Sequence, residues 1–300
     1  MQHIISITDL SASQIKAIVK RAAEMKARGK KQAGAKDPPL RDKSMAMIFD
    51  KSSLRTRLSF EIGMTQLGGH AVYLAPDDIK LGVRETVHDS AIVISSMADV
   101  IVIRVSNHEA VKELAEYSKV PVINAMTDLE HPCQILADLQ TIYERFGAFG
   151  GIKIACIGDA HNNVTNSLAL AAQRLGMELS IAAPAGYEMS PAIAALAKSV
   201  KHYNDPKAAV TGAHVVITDT WVSMGKEAEK AKRMKDLLPF QVNRALMELA
   251  DQKAIFMHCL PAYRGKEVTA EVIDGPQSMV FAEAENRLHA QKALLLEVLS

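Results

Sequence analysis

Residue types able to do chemistry together occur in short stretches along the chain. Ser52-Ser-Leu-Arg-Thr-Arg57 sets Ser52, Ser53, Arg55, Thr56 and Arg57 side by side. Guanidinium groups and hydroxyls donate in the geometry an oxyanion accepts, and each charge-assisted bond contributes about 1.5–3 kcal/mol. Arg104 closes an apolar run, where it can add to an anion site or lie on the surface as a snorkelling side chain. His131-Pro-Cys-Gln134 brings an imidazole that can donate to a carbonyl oxygen and an amide that can read another amide. Asp219-Thr-Trp-Val-Ser-Met-Gly225 holds the sole tryptophan, a carboxylate and a hydroxyl, and His258-Cys-Leu-Pro261 holds an imidazole and a thiol. Each has a plainer alternative. Ser53 fits an ordinary helix N-cap with Arg55 and Arg57 on a solvated face, and His131 and Gln134 fit a cap as well.

The elements that must position these residues follow from hydrophobic pattern. Residues 44–49 form a short apolar run suited to a buried strand. Leu58, Ile62 and Leu67, with Phe60 and Met64 beside them, recur at helical spacing until Gly68-Gly69 stops them. The Ser/Arg stretch therefore opens a helix, whose first N–H groups lack internal partners and whose dipole is positive there. Together they make a socket for a phosphate-like anion. The same alternation continues. Strands are expected at 71–74, 99–105 and 120–124, and helices at 86–97, 110–117 and 135–146, with Pro132 suited to a first helical position. Residues 75–84 read as a polar, functional loop and 26–36 as a basic loop, while Ser11 to Gln14 fits a capping box.

Three glycines at 147, 150 and 151 mark an interior boundary. Beyond it, strands are expected at 152–158, 178–183, 210–218, 254–257 and 278–281, with helices at 167–175 and from 286 to the end. The charged run 226–236 reads as a solvated helical face. Gly158 opens a turn resembling a dinucleotide site, but Ala160 and Asn163 stand where glycines belong and Pro184 follows the next strand, which disfavours a nicotinamide cofactor. The amides of Asn162 and Asn163 are left to meet a polar substrate. Both halves thus read as α/β, two domains each with a mainly parallel sheet flanked by helices.

Composition bounds the partners. A chain of 300 residues with 48% hydrophobic and 23% charged content is expected to fold as two globular domains. A net charge of +1 gives no reason to expect nucleic acid or an acidic membrane, so any anion site must be local. Cys133, Cys156 and Cys259 are odd in number and widely spaced, which argues for free thiols in a reducing compartment. With no signal-like start and no membrane-length apolar run, a cytoplasmic protein is expected. No His, Cys and acidic residues cluster at metal-ligand spacing, so no metal and no cofactor are expected.

The ordered set of motifs resembles the aspartate/ornithine carbamoyltransferase family from about Ile4 onward, and the Ser-Met-Gly loop and His-Cys-Leu-Pro turn match its ornithine-using branch. The resemblance implies transfer of the carbamoyl group of carbamoyl phosphate to the side-chain amine of L-ornithine, giving L-citrulline and phosphate in arginine-type metabolism. The alternatives are a carbamoyltransferase for another amine such as putrescine, or a non-catalytic oxyanion-binding regulator. It implies a carbamoyl phosphate-binding domain over 1–147, completed by the C-terminal helix 286–300, and an ornithine-binding domain over 148–285. Carbamoyl phosphate would meet Ser53, Leu54, Arg55, Thr56, Lys80, Arg104, His131, Gln134, Cys259, Leu260 and Arg287. Ornithine would meet Asn163, Asp219, Ser223 and Met224, and Arg55, Arg104, His131, Asp219 and Cys259 would be catalytic. The family assembles as a trimer with shared active sites, in which the loop bearing Lys80 would reach the neighbour's phosphate site. Two positions depart from the family pattern. Leu54 replaces the usual threonine, removing a hydroxyl donor worth about 1 kcal/mol. Lys80 replaces the usual glutamine or histidine.

Overall fold

The computed structural model describes residues 2–29, 38–222 and 227–299. Most of the expected basic loop lies outside the described residues, as do Ser223 and Met224. The chain divides into two compact units, Met1–Gln140 with Glu285–Ser300, and Thr141–Ala284.

The first unit runs α1 (Ala12–Ala27), β1 (Ser44–Phe49), α2 (Leu54–Gln66), β2 (His70–Leu74), α3 (Pro76–Ile79), α4 (Val87–Ser95), β3 (Val100–Arg104), α5 (His108–Tyr117), β4 (Val122–Met126) and the start of α6 (Pro132–Phe146). α1 opens on the expected capping box, Ser11 and Gln14 each accepting the other's N–H. All four strands are parallel, in the order β2-β1-β3-β4. Their Val- and Ile-rich sequences are buried against helices on the face lined by Ile48, Ile101, Ile103, Val111 and Leu114. Chain direction through the sheet reverses between β1 and β3, and open α/β sheets bind ligands beyond the strand ends at such a switch. The two loops leaving that point are tied together. Asp50 donates its N–H to the Arg104 carbonyl at 3.0 Å and accepts the Ser106 N–H at 2.7 Å.

Two local expectations are corrected here. The polar loop contains α3, a single turn started by Pro76 and by Asp78, whose carboxylate accepts the Ala75 N–H. α2 is rolled over relative to its apolar pattern. Its buried face is Thr56, Ser59, Phe60, Gly63 and Met64, while Leu58 and Ile62 are 47% and 42% exposed.

The second unit continues with β5 (Lys153–Ile157), α7 (Asn163–Leu175), β6 (Glu178–Ala182), α8 (Pro191–Leu196), β7 (Lys201–Tyr203), α9 (Pro206–Val210), β8 (Val215–Thr218), α10 (Lys230–Leu237), α11 (Arg244–Met247), β9 (Ile255–Met257), α12 (Ala270–Ile273) and the start of α13 (Val280–Leu299), whose residues from Glu285 on belong to the first unit. Its five parallel strands take the order β7-β6-β5-β8-β9, with the switch between β5 and β8. Ala155, Ile157, Val216, Phe240 and Phe256 lie in its core. The expected strand at 210–218 is shorter because Pro206 starts α9, which occupies the residues before it up to Val210. The expected strand at 278–281 is a single bridge from Ser278 to Phe256, after which α13 begins. α8 and β7 carry little sequence signal, since the Ala-rich run of α8 has no clear period and the three residues of β7, Lys201-His-Tyr203, are too few to show one.

Candidate active site

The first unit gathers its functional side chains at the β1/β3 switch. Ser53 caps α2, its Oγ accepting the Thr56 N–H at 3.3 Å. That cap and the anion socket are compatible readings of one turn, since the cap serves one N–H and leaves the helix end facing the strand tips. Thr56 is 1% exposed and its hydroxyl is a meeting point, 3.4 Å from Arg104 Nη1 and 3.1 Å from Arg287 Nη2. Arg104 is buried at the end of β3, so the surface reading of this residue is removed. Arg55 is partly exposed. Arg57 turns away: it pairs with Glu61 at 2.9 Å and covers the ring of Tyr73. Leu54 points its side chain outward, 69% exposed.

His131 and Gln134 stand at the mouth of α6, both buried. His131 Nδ1 accepts the Gln134 N–H at 3.3 Å, which leaves the neutral ring's proton on Nε2. Burial, and then the cations Arg287, Arg104 and Arg55, hold its pKa well below 6.5. The ring is therefore neutral at physiological pH, a hydrogen-bond donor that adds no charge. Gln134 is fixed at both ends, its Oε1 accepting from Arg287 Nη1 at 2.6 Å and its Nε2 donating to Asp138 at 2.8 Å. Three guanidinium groups thus stand near one neutral imidazole, the electrostatics of a site for a multiply charged anion with a polar acyl group attached.

The second unit gathers its side chains at the β5/β8 switch. Cys259 Sγ lies 3.2 Å from Asp219 Oδ1, joining the loop after β8 to the turn after β9. Leu260, with φ +56°, donates its N–H to His258 Nδ1 at 2.9 Å. Asn163 opens α7, whereas Asn162 is spent as the cap of that helix: its Oδ1 accepts the Thr165 N–H and its amide donates to the Asp159 carbonyl. That removes Asn162 from the expected pair of substrate-facing amides. The expectation that no metal-type cluster exists is also corrected: one donor atom each from Asp219, His258 and Cys259 falls within 4.8 Å of the others. Those residues come from two loops 40 positions apart, which linear spacing does not reveal. Lys80 is exposed in the first unit, 3.9 Å from Asp77.

Comparison with known proteins decides the family. The carbamoyl-phosphate-binding domain profile of the aspartate/ornithine carbamoyltransferases matches residues 2–144, and the Asp/Orn-binding domain profile matches residues 150–298. This chain belongs to the aspartate/ornithine carbamoyltransferase family. Among its carbamoyltransferase relatives is the ornithine carbamoyltransferase of Nitrosococcus oceani, 50% identical over 99% of this chain and 97% of that one. That of Carboxydothermus hydrogenoformans is 51% identical over 98% and 96%. Among solved structures, the ornithine carbamoyltransferase from Pyrococcus furiosus superposes with a TM-score of 0.93 at 44% identity, covering 99% of this chain and 97% of that one. The anabolic ornithine carbamoyltransferase from Campylobacter jejuni gives 0.92 at 42% identity, covering 99% of each.

Within this carbamoyltransferase fold, the linear motifs missed two kinds of residue. Asp138 is completely buried and orients Gln134, although it reads in sequence as one more polar position on a long helix. Arg233 lies in the run expected to be a solvated face, yet is only 4% exposed. Its single signal is an arginine between Ala231 and Met234 on a helix otherwise rich in lysine.

Proposed function

We propose that this chain transfers the carbamoyl group of carbamoyl phosphate to the side-chain amine of L-ornithine, giving L-citrulline and phosphate. The observation that carries the reading is the neutral His131 set among Arg55, Arg104 and Arg287 at the start of α2. The first unit is the carbamoyl phosphate-binding domain and the second the ornithine-binding domain.

Arg55, Arg104 and the α2 terminus hold the phosphate dianion and stabilise charge on it as it leaves. His131 Nε2–H, with Thr56 and Arg104, donates to the carbamoyl oxygen as a tetrahedral centre forms. Gln134, oriented by Arg287 and Asp138, fixes the carbamoyl NH₂ together with the Leu260 carbonyl. Asp219, Asn163, Ser223 and Met224 hold the ornithine head, and Asp219 with Cys259 orients the amine. If the amine titrates like lysine, near 10.4, only roughly one molecule in 10³ is neutral at pH 7, so the site must select that form. The amine nitrogen bonds the carbamoyl carbon, the carbon–oxygen bond to phosphate breaks, and the departing phosphate takes the proton. No covalent Cys259 intermediate is required, because the amine attacks directly.

The reading carries a cytoplasmic homotrimer acting in arginine biosynthesis, in which Lys80 reaches the neighbouring phosphate site. Three free thiols support the compartment, and the exposed Leu58 and Ile62 on α2, with Val72 at 45% on β2, supply an apolar face for assembly. Among the described residues no helix is long and apolar enough to cross a membrane. The deciding experiment mixes purified protein with carbamoyl phosphate and either ornithine or putrescine, and follows citrulline, carbamoyl-putrescine and phosphate. Citrulline with equimolar phosphate is expected. Phosphate-neutral mixing, or preference for putrescine, refutes the assignment.

A further inference from the structure

In the second unit, a buried ion pair spans the two loops that leave the β5/β8 switch. Arg233, on α10, donates from Nη2 to Asp159 Oδ2, directly after β5. Its Nε donates to the Trp221 carbonyl, two residues beyond Asp219 on the loop after β8. Both side chains of the pair are about as buried as a core residue, 5% and 4% exposed. Asp159 in turn shapes its own turn: Oδ1 accepts the His161 N–H at 2.9 Å, and its carbonyl accepts from Asn162, the cap of the helix that Asn163 opens. Close packing seals the same contact. Gly158 has φ +113°, and a Cβ there would lie 3.2 Å from the Trp221 indole nitrogen. Trp221 itself is 1% exposed.

A guanidinium fork is the group that can serve a carbonyl and a carboxylate at once in fixed geometry; a lysine ammonium is a point charge on a flexible stem. We propose that Arg233 is a positioning residue for the amine substrate, bridging Asp159 and Trp221 so that Asn163 and Asp219 are held at a fixed separation. This rests on the ornithine-binding role given to those two residues above. The groups that hold the phosphate, Arg55, Arg104 and the α2 terminus, belong to the other unit and gain nothing from the bridge. Arg233 touches no reacting atom, and its effect falls on ornithine capture.

The test is Arg233→Lys, with Arg233→Met beside it. The lysine variant keeps the charge opposite Asp159 and so protects the fold, but it cannot hold both loops. Breaking a buried pair outright is strongly destabilising, so the methionine variant carries weight only where it folds. Misplacing a binding group by an ångström costs up to about 100-fold, so kcat/KM for ornithine should fall roughly 10- to 100-fold in the lysine variant, mostly through KM. Carbamoyl phosphate binding, measured by calorimetry without ornithine, should be unchanged. Trp221 is the only tryptophan, and its acrylamide quenching reads the loop directly. Quenching should rise in the lysine variant. An unchanged ornithine KM, or an equal loss in carbamoyl phosphate binding, overturns the proposal. If wild-type protein makes no citrulline, the functional reading fails by itself, and the quenching result still decides whether Arg233 bridges the loops.

Discussion

His131 shows how a single buried side chain links stability to catalysis. Its native ring is neutral because burial and three cations oppose protonation. In the unfolded chain the ring titrates near its ordinary 6.5. Below that value the unfolded state binds a proton that the native state refuses. The contribution of His131 therefore makes stability fall as pH drops through about 6.5, and leaves it level above. Thermal unfolding from about pH 7.5 to about pH 5.5 should show a smaller acid-linked loss in His131→Gln than in the parent. The thiols separate in the same manner. Burial pushes Cys133 and Cys156 each up to about 12, whereas Cys259 is only partly buried. A thiolate is the reactive form, so a maleimide at neutral pH should label Cys259 first and abolish activity, with Cys133 and Cys156 labelled only after unfolding. Peptide mapping of the labelled protein gives the order.

At the scale of an element, α2 does two jobs with two faces. Its first turn presents Ser53, Arg55 and Thr56 at the strand ends, and its inner stripe packs Phe60 and Met64. The periodic apolar residues Leu58 and Ile62 are legible in the sequence as helical, but the face they belong to is not. Hydrophobic spacing reports that a helix has an apolar side without reporting whether a core or another chain covers it. If α2 is an assembly face of the proposed trimer, Leu58→Asp with Ile62→Asp should give monomer in sedimentation velocity while leaving the circular dichroism spectrum intact. An unchanged sedimentation coefficient would remove α2 from the interface. α10 shows the opposite failure. Its charges suggest a fully solvated helix, and its one deeply buried arginine is the residue that matters.

At the scale of the whole molecule, the chain's last helix supplies a cation to a site begun some 230 residues earlier. Arg287 on α13 reaches both Thr56 and Gln134, and sequence separations of 231 and 153 residues put those contacts beyond any local reading. Arg287→Met should weaken carbamoyl phosphate binding by about tenfold or more, the worth of a lost charge-assisted bond to the anion site, while the ornithine KM changes less. Calorimetry with carbamoyl phosphate and initial rates against ornithine measure the two effects. Equal losses in both would place Arg287 in general stability instead.

The sequence alone determined the alternation of strand and helix, the parallel α/β class, and the order of motifs that mark the family. These are local properties: a buried parallel strand is a short apolar run, and a helix start needs only a cap and a period. The cap at Ser53, the first-position Pro132 and the strand-ending Arg104 were legible for that reason. Only tertiary structure decided which face of α2 is buried, whereas the Arg57–Glu61 pair and the Asn162 cap are local contacts four and three residues apart. Tertiary structure alone joined Cys259 to Asp219 and Arg233 to Asp159. Those contacts depend on strand order, which reverses at β1/β3 and at β5/β8 and brings together loops remote in the chain. Residue spacing carries no trace of that reversal, because nothing local distinguishes a strand that pairs to the left from one that pairs to the right.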